Sequence, residues 1–184
     1  MTTLDELRKA LDAPDGFDRC AHRQRTEKVR KIHANTVRYC ELIDGSTCLT
    51  HALGIYSSNI YRAIAGPTFG YDIFAGKQFV EWLLRGHLKD LAQSAPDCLV
   101  LYFNGNVWKH AGIALANGRV VSQWGTFPLY EHETFEVPAR YGDKVRHFLK
   151  PSPKDALALF VDFAKSLGIR DEDIAAAVSQ PQTR

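Results

Sequence analysis

The chain has few cysteines, no long apolar run and no excess of one charge. The four cysteines, Cys20, Cys40, Cys48 and Cys98, are too few and too irregularly spaced for a disulfide framework. None belongs to a Cys-x-x-Cys pair or a zinc-type cluster, so we expect reduced thiols, no metal and no cofactor. The balance of 23 basic and 21 acidic residues gives no strong field, which argues against a nucleic-acid or membrane partner.

Targeting segments are also missing. Residues 1–11 have the pattern of a charged amphipathic helix, without the apolar centre of a secretory signal. No apolar run approaches the length of a transmembrane helix. We therefore expect a cytoplasmic protein, which would reach a cell wall only by another export route. The 184 residues, 45% of them hydrophobic, are enough for one compact domain with a sizeable core.

A candidate nucleophile lies in the segment GSTCLTHALG at residues 45–54. Ser46 or Thr47 is a suitable N-cap, which places Cys48 at the start of a helix. Apolar residues then recur at helical spacing: Leu49, Ala52, Leu53 and Tyr56. A helix N-terminus and a nearby imidazolium both lower the pKa of a thiol, so Cys48 is a potential nucleophile. The alternative is a small core cysteine with no chemical role.

The matching base is predicted in a β-hairpin. Residues 98–103 form an apolar run typical of a buried strand, and residues 107–116 and 119–124 flank Asn117-Gly118, a strong hairpin signal. If that turn has two residues, His110 and Gln123 share one face of the hairpin, and the Gln123 amide can orient the imidazole. If the loop has three residues, the parity of the second strand inverts and Ser122 takes that place.

These residues together resemble the papain-like superfamily of NlpC type, which contains cell-wall endopeptidases and amidases. The resemblance rests on a Cys that opens a buried helix, a His-x-Gly-Ile strand, an Asn-Gly turn and a strand ending in Ser-Gln-Trp-Gly. It spans residues 39–150 and is most specific over 109–125. It implies Cys48 as nucleophile, His110 as general base and acid, and Gln123 or Ser122 as orienting group. Residues 128–132 and 137–142 resemble a poorly characterised bacterial branch of papain-like proteins.

The expected fold is α+β and papain-like. A central antiparallel sheet carries the nucleophile-bearing helix on one side, with further helices at both ends of the chain. One domain is expected over 1–184, divided into an N-terminal helical segment (1–35), a catalytic core (36–150), C-terminal helices (151–178) and a tail (179–184). Within it we predict helices over 18–34, 74–91, 153–168 and 171–178, and a strand over 145–149.

The predicted function is a cysteine hydrolase that cleaves a peptide-like amide, in a muropeptide or a protein, through a thioacyl intermediate. Two alternatives stay open. One is a Cys-dependent acyltransferase or deamidase of the effector type, and the other is a non-catalytic binding module in which Cys48 only packs. Two further histidines are weaker candidates: His51, one turn after Cys48, and His132, for which a surface or structural hydrogen bond is expected.

Overall fold

The computed structural model describes residues 3–12, 19–70, 72–125 and 128–179. The helices are α1 Leu4–Leu11, α2 Arg19–Ile32, α3 Cys48–Leu53, α4 Asn59–Ile64, α5 Lys77–Leu83, α6 Pro153–Ser166 and α7 Asp171–Ser179. The strands are β1 Arg38–Glu41, β2 Asp90–Leu91, β3 Leu99–Asn104, β4 Val107–Ala114, β5 Val120–Gln123, β6 Leu129–His132 and β7 Lys144–Phe148. Apart from Ser179, the predicted tail lies outside the described residues.

The strands form one seven-stranded sheet in the order β1-β6-β5-β4-β3-β7-β2. Each neighbouring pair is antiparallel. The α+β class and the antiparallel sheet expected from the sequence are therefore confirmed. Helix α3 packs against β4 and β5, so the helix that begins at Cys48 lies on the central part of the sheet.

The alternation of β3 divides the core into two layers. Leu99, Leu101 and Phe103 point to one face, which α3, α5 and α6 cover; we call it the α3 face. Val100 and Tyr102 point to the other face, covered by α1 and α2, which we call the Tyr102 face. Both faces of the sheet are thus buried, which explains the continuous apolar run of β3.

The hairpin of β4 and β5 has a three-residue loop. The register pairs Ile113 with Val121 and Ala114 with Val120, and the Leu115 amide donates to the Arg119 carbonyl. Gly118 has a φ of +80°, a conformation that suits the last loop residue of this hairpin type. The two-residue turn, and the shared face of His110 and Gln123 that followed from it, are therefore wrong. The three-residue alternative holds, and it reverses the faces of Ser122 and Gln123.

Two other predictions differ from the structure. The helix predicted over 74–91 is confined to Lys77–Leu83, and Asp90–Leu91 instead forms β2, which pairs with β7. Gly86, with a φ of +119°, lies in the turn between them. The edge strand β1 and the strand β6 were not predicted. The only partner of β1 is β6, which is distant in sequence, whereas β6 also pairs with the nearby β5. Helix α6 does begin at Pro153 with Ser152 as N-cap, as expected.

None of the helices in the described ranges is long and apolar enough to cross a membrane.

Candidate active site

Cys48 is the first residue of α3. Thr47 is the N-cap, and it forms a capping box with Thr50: each side chain pairs with the backbone N–H of the other residue. Leu49, Ala52 and Leu53 are buried in the core. Gly54, with a φ of +69°, ends the helix, so Tyr56 lies beyond it. The predicted position of the cysteine at a capped helix start is therefore confirmed.

Beside Cys48 the hairpin strands separate. In β4 the even-numbered residues bond to β3, as shown by the Ala114 amide on the Cys98 carbonyl, so the odd-numbered ones face β5. The β4–β5 pairing runs only to Ile113 and Val121, whereas β5 stays paired with β6 as far as Gln123. The backbone of Ala111 is thus released from β5, and its N–H is one of the donors near the Cys48 sulfur.

The Cys48 thiol is half-buried, and burial raises its pKa from the ordinary 9.0 to about 11. Backbone N–H groups of Ala111, Leu49 and Cys48 itself oppose this rise by favouring the thiolate. Their effect is smaller than the cost of burying a charge. Because α3 has only six residues, its dipole adds little. The lowered pKa expected from the sequence is therefore wrong for the resting protein, in which Cys48 is a neutral thiol.

His110 lies on the Tyr102 face, directly opposite Tyr102 in the β3–β4 register. Its ring stacks on the Tyr141 ring, with centroids 3.8 Å apart and planes 5° apart. The side chain is 1% exposed, and Nε2 has no hydrogen-bond partner among the described residues. Burial, and then the charges of His132 and Arg140, hold the pKa of His110 well below 6.5. The imidazole is therefore neutral, so one of its two ring nitrogens carries no proton.

Cys48 and His110 are not joined by a hydrogen bond within the described part of the chain. Tyr141 is the residue that lies near both of them. Burial raises the pKa of Tyr141, and the negative charge of an ionised Cys48 raises it further. Tyr141 therefore lies within electrostatic range of the Cys48 sulfur while its ring covers His110. Tyr141 therefore lies near both Cys48 and His110, and both candidate reacting groups are neutral.

Gln123 does not orient His110. It lies on the α3 face, fully buried, where its Oε1 accepts a 2.6 Å hydrogen bond from the Ser46 hydroxyl. Its Nε2 donates to the Ile43 carbonyl at 3.2 Å. Both ends of the amide thus hold the loop that leads into Cys48. The residue predicted to orient His110 instead holds the segment before Cys48.

Ser122 lies on the Tyr102 face, but its partner is His132. Its Oγ is 2.7 Å from His132 Nε2, and it accepts a 3.1 Å hydrogen bond from the Trp124 indole N–H. The other ring nitrogen of His132 lies 2.8 Å from the Glu133 carbonyl, to which it can only donate. This assigns the tautomer, so the Ser122 hydroxyl donates to Nε2. The network is wholly buried. Its effect on His110 is electrostatic: a positive charge on His132 lowers the pKa of His110.

No family model, characterised protein or solved structure matches this chain.

One residue of this region, Tyr141, was not identified from the sequence. Tyr141 lies in the 3₁₀ turn Ala139–Tyr141, and the only local signal is an aromatic residue between Pro138 and Gly142. His132, expected to make a surface or structural hydrogen bond, is fully buried in β6 and makes a structural one. His51 stacks on Tyr56 and is not part of the cluster.

The His, Cys, Asp and Glu side chains of the described residues do not form a metal site. No group of three or more His, Cys, Asp or Glu side chains in that part of the chain is placed to hold an ion. All four cysteines are outside disulfide bonds. The chemistry of the cluster therefore rests on its thiol, imidazole and phenol.

Proposed function

We propose that the protein is a papain-like cysteine acyl hydrolase that cleaves a peptide-like amide. The observation that carries the proposal is the position of Cys48. It begins a capped helix at the point where two strands separate, within electrostatic range of Tyr141, whose ring stacks on the buried neutral imidazole of His110. Cys48 is also the most accessible member of the cluster, because His110 is 1% exposed and Tyr141 is 7% exposed. A substrate carbonyl would therefore approach from the sulfur side.

The neutral resting pair sets the mechanism. Because the thiol keeps its proton below a pKa of about 11, the proton leaves only as the sulfur attacks. The bond from Sγ to the carbonyl carbon forms while the thiol proton passes to His110. His110 then gives that proton to the leaving nitrogen as the C–N bond breaks. Water attacks the thioester, which releases the carboxylic acid and restores the thiol.

Acylation by p-nitrophenyl acetate tests this function without knowledge of the natural substrate. We expect release of p-nitrophenolate and an acetyl group on Cys48, found by peptide mapping. Cys48→Ala removes the reaction, and His110→Gln slows it by about 10²- to 10⁴-fold, the usual contribution of a general base. Cys40→Ala is the matched control, because that thiol is exposed in β1, and its loss leaves the rate unchanged.

A second candidate is a non-catalytic binding domain. It is favoured by the raised pKa of Cys48 and by the lack of a hydrogen bond to His110 in the described residues. The same experiment separates the two functions. A Cys48 acylation rate that His110→Gln leaves unchanged would support the binding domain. A hydrolase is supported when the rate depends on His110, and product analysis with added amines then shows whether water or an amine accepts the acyl group.

A further inference from the structure

Tyr141 is held more firmly than a surface turn requires. Gly142, which follows it, has a φ of +97°, and a Cβ there would collide with the Phe103 carbonyl. The Asp143 amide donates to that same carbonyl at 3.0 Å, and the Arg8 guanidinium donates to the Gly142 carbonyl. Hydrogen bonds to β3 and to α1 therefore hold the turn in place.

The consequence is a fixed aromatic plane over His110. A nearly parallel stack at 3.8 Å restricts rotation of the imidazole about its second side-chain torsion. Within the described part of the chain no polar side chain orients His110, because Gln123 holds the loop before Cys48 and Ser122 binds His132. The orienting function that hydrogen bonding usually provides falls to ring contact.

We propose that Tyr141 is the positioning residue of this site, holding the His110 ring in the orientation in which it takes the proton of Cys48. The inference rests on the proposed function. The inference states that the aromatic ring of Tyr141, and not its hydroxyl, orients His110. The hydroxyl makes no hydrogen bond of standard geometry in the described residues, although the Arg140 guanidinium is close enough to favour its ionised form.

The test compares substitutions at Tyr141 in the p-nitrophenyl acetate reaction. Tyr141→Phe keeps the ring and is expected to retain the acylation rate within about threefold. Tyr141→Leu removes the ring and is expected to lower the rate about a hundredfold, the effect of a misplaced catalytic group. Tyr141→Met keeps more of the buried volume and is expected to behave like Leu. Tyr56→Leu is the matched control, because Tyr56 also stacks on a histidine, His51, outside the site.

The pH profile distinguishes positioning from a general loss of structure. With a working base, acylation is nearly independent of pH above the pKa of His110, which lies well below 6.5. Without one, the rate rises about tenfold per pH unit toward the thiol pKa of about 11. We expect Tyr141→Leu and Tyr141→Met to show the second profile, as His110→Gln does, while Tyr141→Phe and Tyr56→Leu keep the first.

The outcomes separate this inference from the function on which it rests. If His110→Gln changes the profile but the Leu and Met variants, folded by thermal denaturation, do not, Tyr141 is not the positioning residue and the hydrolase stands. If Tyr141→Phe loses as much as Leu, the hydroxyl is the active part and the stacking argument is refuted. If His110→Gln has no effect, the proposed function itself fails.

Discussion

The ionisation of Cys48 can be measured directly by alkylation. A pKa of about 11 in place of 9.0 lowers the thiolate fraction about a hundredfold at pH 8 and below. Iodoacetamide reacts with the thiolate, so its rate follows that fraction. At pH 8 we expect Cys48 in the folded protein to react about a hundred times more slowly than in the urea-unfolded chain.

The assay is timed alkylation between pH 7 and pH 11, with quantification of the Cys48 peptide by mass spectrometry. Cys20, which is exposed, is the internal control and reacts at similar rates in the folded and unfolded chains. Steric shielding also slows Cys48, but it scales the rate at every pH alike. The pH dependence is therefore the decisive quantity, and with a pKa of about 11 we expect the Cys48 rate to rise across the whole range without reaching a plateau.

A midpoint below 8 for Cys48 would refute this reasoning. Such a value would mean that a thiolate is already formed, as the helix position alone predicts. The backbone N–H groups near the sulfur would then outweigh burial, and a standing thiolate and imidazolium pair would replace the neutral one. The mechanism with proton transfer during attack would have to be abandoned.

Three further predictions concern stability, measured by urea unfolding. Burial lowers the pKa of His132 to about 4 from 6.5, so its contribution is complete above pH 6.5 and is lost as the pH falls toward 4. That loss amounts to about 3 kcal/mol of unfolding free energy. It should be absent in His132→Gln and unchanged when the exposed His87 is replaced by Gln. Equal acid sensitivity of the wild type and both variants would contradict the prediction. Ser122→Ala leaves two buried groups without a partner and should cost about 1–3 kcal/mol; a neutral result would show that the network is not satisfied as described. Both glycines have positive φ, so Gly118→Ala should lower the unfolding free energy by about 1–2 kcal/mol. Gly142→Ala should lower it clearly more, because a Cβ there would also collide with the Phe103 backbone. Equal costs would place Gly142 in open space.

The elements predicted correctly are those with local determinants. Thr47 caps α3 and Gly54 ends it through contacts within a few residues, and β3 is a continuous apolar run because both of its faces are covered. Such signals are readable without knowledge of the fold. The same holds for Ser152 and Pro153 at the start of α6.

The parts that were missed depend on distant partners. The Asn117-Gly118 pair suits hairpin loops of two lengths, and the choice between them depends on how β5 fits β4 and β6. The pKa of Cys48 is set by burial, which the position at a helix start does not reveal. Tyr141 reaches His110 only because its turn is pinned to β3, a contact between segments that are far apart in the chain.

The three-residue loop of the hairpin makes the site sensitive to a change in length rather than in chemistry. Side chains alternate along a strand, so the removal of one loop residue would exchange the sides on which Ser122 and Gln123 lie. The amide would then leave the segment before Cys48, and the hydroxyl would leave His132, although neither residue had been substituted. In variants of this protein, a gap or an extra residue at positions 116–118 is therefore expected to alter the proposed site more than many replacements within the strands themselves.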